Sequence, residues 1–436
     1  MGRGTGARGR GGGLSGAEGA APSELRWASR DPRHGPRDAR QERSVSATAQ
    51  SSEKRLSAVM REGERVTPLE LFFDLVFVLA LTQCTALMAH PPTWGHLLKG
   101  LFVLGVLWWS WGGYAWLTSV VDPEEGLVRL VMFVAMAAFL VAALSVPGAF
   151  GADAVAFACA YAVVRTAHIA LFLLASRDDT QLRKSVVGLA VSTAIGVGLL
   201  VAAALASGDV RVALWGVALV LDMGGPYLFG AEGWKLVPGH FAERHGLIVI
   251  IALGESIVAI GVGRTASVNG EIVATSALGI AVAAALWWVY FDVTAIAAER
   301  RLAGAHPGRE QNEIARDSYS YLHFFLVAGV GLAAVGLKRT LGHVDDPLQL
   351  VTRVALLGGL ATYLLALVAL RLRNMQTLSV RRLLCALLLL ALVPATKSTS
   401  ALLTLGIAAA VLAALIAYEA LRYAEDRHRL RDSVAR

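Results

Sequence analysis

Ten side chains able to hold an ion or carry a proton lie within or at the edges of long apolar stretches of this sequence: Glu70, Asp74, Gln83, Arg165, His168, Asp222, Glu255, Ser256, Asp292 and His323. Glu70 and Asp74 stand four residues apart in ELFFDLVFVLALTQ, so a helix presents both carboxylates on one face, with Gln83 farther along. A carboxylate at the centre of a bilayer costs about 2.5 kcal/mol or more, so such a group faces a partner or a water-filled space. Arg165 carries a permanent charge and needs a carboxylate at similar depth. Estimated depths nominate Glu255 and Asp74. Each residue also has a plainer reading. Arg165 can lock helices through an ion pair, Glu70 can complement a helix N-terminus, Asp292 can be interfacial, and His168 and His323 can be satisfied core histidines.

Other chemistries are excluded. No HExxH pair, GxSxG elbow or P-loop occurs. The three cysteines, Cys84, Cys159 and Cys385, are scattered through apolar runs and form neither a disulfide framework nor a metal motif. GVGR at Gly261 to Arg264 lacks the flanking Thr and Tyr of a carbonyl filter. The expectation is a protein that is no enzyme, with no catalytic residue, metal or cofactor.

The elements that must position these residues are membrane helices. Of 436 residues, 56% are hydrophobic and 17% charged, against about 25% charged in soluble domains. The formal charge of +7 comes from tails and connections, the pattern of an orientation signal and not of a nucleic-acid-binding face. About twenty apolar residues cross a bilayer. Candidate spans run over 68–88, 97–117, 127–146, 152–175, 185–206, 210–230, 246–263, 272–296, 319–337, 348–370, 382–396 and 400–421, an all-α integral membrane protein of about twelve helices. Thr67 reads as the N-cap of the first helix and Pro68 as its first-turn proline.

Basic residues cluster in alternate connections and at the C-terminus: Arg177, Arg183, Lys184, Lys235, Arg244, Arg300, Arg301, Arg309, Arg316, Arg371 and Arg373 among them. By the positive-inside rule the chain is a multi-pass plasma-membrane protein with both termini, and the segment 298–317, cytoplasmic. Residues 1–62, rich in Arg and Gly with no apolar periodicity, read as a disordered cytoplasmic tail. Residues 66–425 form the transmembrane domain, and 426–436 a basic C-terminal tail. Leu107-Trp108-Trp109 recurs as Leu286-Trp287-Trp288, and Ala80-Leu81-Thr82-Gln83 resembles Ala252-Leu253-Gly254-Glu255. These offsets fit two parallel six-helix repeats as well as chance likeness between apolar helices.

ELFFDLVFVLALTQ at Glu70 to Gln83, HFAERHGLIVIIALGESIVAIG at His240 to Gly261, and YAVVRTAHIALFLL at Tyr161 to Leu174 resemble the bacterial low temperature requirement A (LtrA) family. Glu70, Phe73, Asp74, Gln83, Glu243, His245, Gly254, Glu255 and Ser256 match its motifs, and the likeness covers about Val66 to Tyr423. The resemblance implies a polytopic bacterial membrane protein. It brings no catalytic assignment, since the family name records growth in the cold and no reaction.

The preferred function is proton- or cation-coupled secondary transport of an unidentified substrate. Asp74 and Glu255 would bind the coupling ion, Arg165 would serve as counter-ion or anion anchor, and Glu70 would stand at the inner entrance. A cation channel built from six-helix repeats is the first alternative, resembling in outline the potassium channels of that build with a Phe-Ser-Asp signature, of which this chain has Phe73-Asp74 without the Ser and with a different spacing from the upstream Arg. A non-transporting scaffold or sensor is the second. The expected partners are the lipid bilayer and a small ion or metabolite, with no specific nucleic acid and with room for an oligomer.

Overall fold

The computed structural model describes residues 65–124, 126–228, 232–263 and 269–422. The expected N-terminal tail, the C-terminal basic tail and Arg264 lie outside the described residues. Twelve helices follow in order: α1 Pro68–Ala89, α2 Trp94–Thr118, α3 Gly126–Leu144, α4 Ala154–Ala175, α5 Thr180–Leu205, α6 Gly208–Leu228, α7 Pro238–Gly263, α8 Gly270–Ala303, α9 Arg309–Gly342, α10 Leu350–Met375, α11 Val380–Ala395 and α12 Ala401–Arg422. Among the described residues every regular element is helical, and nine of these helices are long and apolar enough to cross a membrane. The other three are α2, α6 and α11. α2 is rich in Trp and Gly, α6 carries Asp209, Arg211 and Asp222, and α11 has only 16 residues. Large apolar side chains such as Phe72, Leu130, Val220 and Leu384 remain exposed on the helix surfaces, as a lipid-facing exterior requires.

Helix starts follow local chemistry. Thr67 caps α1 in a capping box: its side chain accepts from the Glu70 amide, while the Glu70 carboxylate accepts from the Thr67 amide at 2.8 Å. Asp179 caps α5 through the amides of Gln181 and Leu182. The hydrogen bond from Lys235 holds the Asp179 carboxyl below the usual carboxylate range. Asn269 caps α8 through the Ile272 amide at 2.9 Å.

Two departures from the expected spans matter for the site. α7 begins at Pro238, eight residues before the expected 246, because a first-turn proline pre-sets the helix. That places His240, Arg244 and His245 inside a helix, and all three are fully buried. Arg244, read from the sequence as a connection charge, is therefore a core residue. α9 begins at Arg309 and not near 319, so most of the expected cytoplasmic connection 298–317 is helical and only 304–308 joins α8 to α9. Within α9 the turns Ala315–Leu322 widen to a π-helix, a feature that re-aims side chains and recurs at functional sites.

α9 packs against α1, α7, α8 and α10. Its contact with α10 depends on glycine: a Cβ on Gly329 would stand 2.8 Å from the Gly359 carbonyl, and one on Gly359 would stand 2.6 Å from the Ala333 amide. Without side chains the two backbones meet directly, the close approach that small residues allow in membranes.

Candidate functional site

Three polar groups among the described residues hold most of the sequence-nominated charges. The first joins α1, α2 and α7. Arg244 donates through Nη2 to Asp74 Oδ1 at 2.6 Å and through Nη1 to Glu70 Oε1 at 3.1 Å and Thr118 Oγ1 at 3.1 Å. Trp111 Nε1 donates to the same Asp74 oxygen at 2.8 Å, and His240 Nε2 lies 2.9 Å from Glu70 Oε1. Glu70, Asp74, His240 and Arg244 are each 0% exposed. With Arg244 cationic, these four side chains are neutral overall when one further proton sits on the imidazole or on one of the carboxyls. Low dielectric makes that balance costly to disturb. The unpaired atoms here are Asp74 Oδ2 and Arg244 Nε.

Beside this cluster the histidines are packed as ring systems. His245 donates through Nδ1 to the Phe241 carbonyl at 2.8 Å and meets Trp111 edge-on at 5.1 Å. His323 donates through Nδ1 to the Ser318 carbonyl, and its Nε2 shares a hydrogen bond with the Tyr290 hydroxyl, each at 2.8 Å, so both ring nitrogens have partners. His323 is thus a satisfied core histidine, the plainer of its two readings.

The second group joins α4, α5 and α6. Arg165 Nη2 donates to Asp222 Oδ1 at 2.9 Å and to Thr193 Oγ1 at 2.6 Å, and the Tyr161 hydroxyl donates to Asp222 Oδ2 at 2.9 Å. The expected partners of Arg165, Glu255 and Asp74, are both corrected by this geometry. Asp74 is taken by Arg244, and the helices neighbouring α4 here are α5 and α6, which carry Thr193 and Asp222. Depth along the membrane normal does not say which helices are neighbours. Arg165 Nε has no hydrogen-bond partner, and the buried imidazole of His168 has only the Gly113 backbone beside its ring nitrogens.

These two residues line a cavity of about 60 Å³ shared with Trp109, Trp116, Trp234, Asn312 and Arg316. Gly113 makes room for them: a Cβ there would stand 2.9 Å from His168 Nε2 and 3.2 Å from Arg165 Nη1. Arg316 Nε donates to Asp317 Oδ1 at 2.8 Å, and Arg373 Nε donates to Asp317 Oδ2 at 2.9 Å. The cavity thus has an aromatic wall and two guanidiniums, and no carboxylate lines it.

The third group is Glu255 of α7 against α1. Thr82 Oγ1 lies 2.6 Å from Glu255 Oε2 and 3.1 Å from the Val78 carbonyl. Thr85 Oγ1 lies 2.5 Å from Glu255 Oε1 and 2.9 Å from the Thr82 carbonyl. Each hydroxyl has one proton and two acceptors. When both donate to Glu255, the carboxylate is ionised. When one turns to its own helix carbonyl, its oxygen accepts a proton carried by Glu255. The same heavy-atom geometry therefore serves both protonation states. Glu255 forms no ion pair among the described residues.

Gln83 is half-buried, Ser256 is buried, and Asp292 sits at the break inside α8. Gln83 and Ser256 make no side-chain hydrogen bond to these groups among the described residues. Sequence reasoning missed His240, Arg244, Trp111, Asn312 and Arg316. Pro238 followed by His240 and Arg244 at helical spacing was the available signal for the first two; nothing comparable marked Asn312 or Arg316.

The sequence pattern described as "Bacterial low temperature requirement A protein (LtrA)" matches residues 65–417. A protein of Rhizobium meliloti (strain 1021), described as "Uncharacterized protein RA0937", is 32% identical over 308 residues, which is 66% of this chain and 73% of that protein. No solved structure matches. All three polar groups lie inside the matched region, and on that match the chain belongs to the bacterial low temperature requirement A (LtrA) family.

Proposed function

We propose that this protein is a proton- or cation-coupled secondary transporter of the plasma membrane and not an enzyme. In this reading the chain crosses the bilayer twelve times, α2, α6 and α11 included, with both termini cytoplasmic. The observation that carries it is the cavity beside Arg165 and His168, lined by aromatic rings and guanidiniums and set in the same membrane domain as a carboxylate, Glu255, that can hold or release a proton without rearrangement. Substrate would enter the cavity from the end that carries Trp234, and Glu255 would bind the coupling proton. Asp74, matched to Arg244, becomes a structural carboxylate in this account. The matching places of α2 and α8, six helices apart, support a parallel repeat. A cation channel is less well supported, since the cavity wall holds two guanidiniums and no carboxylate.

Purified protein in proteoliposomes should show saturable, pH-gradient-dependent solute flux and no conductance in planar bilayers. Conductance would favour the channel, and neither activity would leave a scaffold.

The topology has its own test. Asp178 and Ser207 are exposed and lie in successive connections, α4–α5 and α5–α6. With Cys159 replaced by Ser, Ser207→Cys should react with an impermeant maleimide on intact cells, and Asp178→Cys only after lysis. The reverse pattern would invert the orientation.

A further inference from the structure

The cavity wall has chemistry that narrows its ligand. Arg165 is matched by Asp222, whereas Asp317 is shared between Arg316 and Arg373. The ion pairs that touch the cavity therefore leave one positive charge uncompensated. His168, 1% exposed, has only the Gly113 backbone beside its ring nitrogens, and the buried Arg165 Nε has no hydrogen-bond partner. Buried polar atoms left so poorly partnered are rare, and here they belong to residues that line a cavity.

The remaining wall is apolar: the rings of Trp109, Trp116, Trp234 and Phe172, with Leu189 and Pro226. Size sets a further limit. About 60 Å³ is room for about four to six water-sized groups, at ~10–15 Å³ each. The Arg316 guanidinium also lies over the Tyr227 ring, 4.0 Å from its centroid.

We propose that this cavity binds a compact monovalent organic anion, a carboxylate on a short apolar body. Arg316 and Arg165 face the carboxylate, His168 donates to it, and the indole rings cover the body. Only the fate of the bound anion rests on the transport reading. Binding itself does not. Gly113 is part of the site, because a methyl group there would push into the His168 ring and the Arg165 guanidinium.

The test is titration of the purified full chain with propionate, followed by quenching of tryptophan fluorescence, with propionamide and malonate as controls. Saturable quenching by propionate is expected, with propionamide at least tenfold weaker and malonate no tighter. Arg316→Gln should weaken propionate at least tenfold and still fold, because Asp317 keeps Arg373. Gly113→Ala should weaken it at least as much. Equal binding of propionamide, tenfold tighter malonate, or unchanged affinity in Arg316→Gln would overturn the assignment. A flux arm with labelled propionate in proteoliposomes separates the two proposals. Binding without flux keeps the anion site and removes the transport reading. Saturable flux of another solute without propionate binding keeps transport and removes the anion site.

Discussion

Arg244→Leu is expected to be the most destabilising single substitution in the membrane domain. It leaves Asp74 buried with Trp111 as its remaining hydrogen-bond donor, and it removes the guanidinium that also serves Glu70. Stripping one partner from a buried ion pair costs about 3–5 kcal/mol, a large share of the ~5–15 kcal/mol that holds a typical protein folded. The loss should be coupled to the acid. Asp74→Asn alone should cost far less, because its amide oxygen still accepts from Trp111 and Arg244 keeps Glu70. The double variant Arg244→Leu with Asp74→Asn should recover a substantial part of the single loss. Thermal unfolding in detergent measures all three. An Arg244→Leu protein as stable as wild type, or strictly additive effects in the double variant, would mean that the cluster does not hold α1 to α7.

The second large effect concerns Arg165. Arg165→Leu should destabilise at about the lower end of the same 3–5 kcal/mol range, since Asp222 keeps the Tyr161 and Thr193 hydroxyls. Asp222→Asn should restore part of the loss in the double variant, whereas Glu255→Leu and Asp74→Leu should not. The double variant also separates two roles for the guanidinium. If the pair only ties α4 to α6, a refolded double variant keeps ligand binding. If Arg165 faces the ligand, the protein folds and binding falls at least tenfold. Rescue by Glu255→Leu in place of Asp222→Asn would contradict the observed pairing.

These two clusters also show what a sequence can and cannot convey. Each of the twelve expected spans falls on a helix, and nine of those helices, among the described residues, are long and apolar enough to cross a membrane, because apolar runs of about twenty residues declare themselves. The Thr67–Pro68 start of α1 was equally legible, being a local signal. Glu70, Asp74, Arg165, Asp222 and Glu255 were legible as unusual residues because each interrupts an apolar run. Their pairings were not. Arg244 meets Asp74 across 170 positions of sequence and Arg165 meets Asp222 across 57, and only helix adjacency decides such contacts. Arg244 and Arg316 were not legible, because basic residues near span ends look like connection charges that set orientation. The early start of α7 and the π-turns of α9 carry them inward.

In the proposed transport cycle Glu255 couples a proton to movement of the cavity's ligand. The most direct measurement is internal pH in proteoliposomes carrying a trapped pH-sensitive dye, recorded as substrate is added outside, for wild type and for Glu255→Gln. Glutamine keeps the Thr82 and Thr85 contacts but cannot release a proton. A saturable, substrate-dependent pH change is expected with wild type. With Glu255→Gln that change is lost, while exchange of labelled substrate across the membrane persists. Substrate flux by wild type with no pH change, or an unaltered pH response in Glu255→Gln, would contradict it.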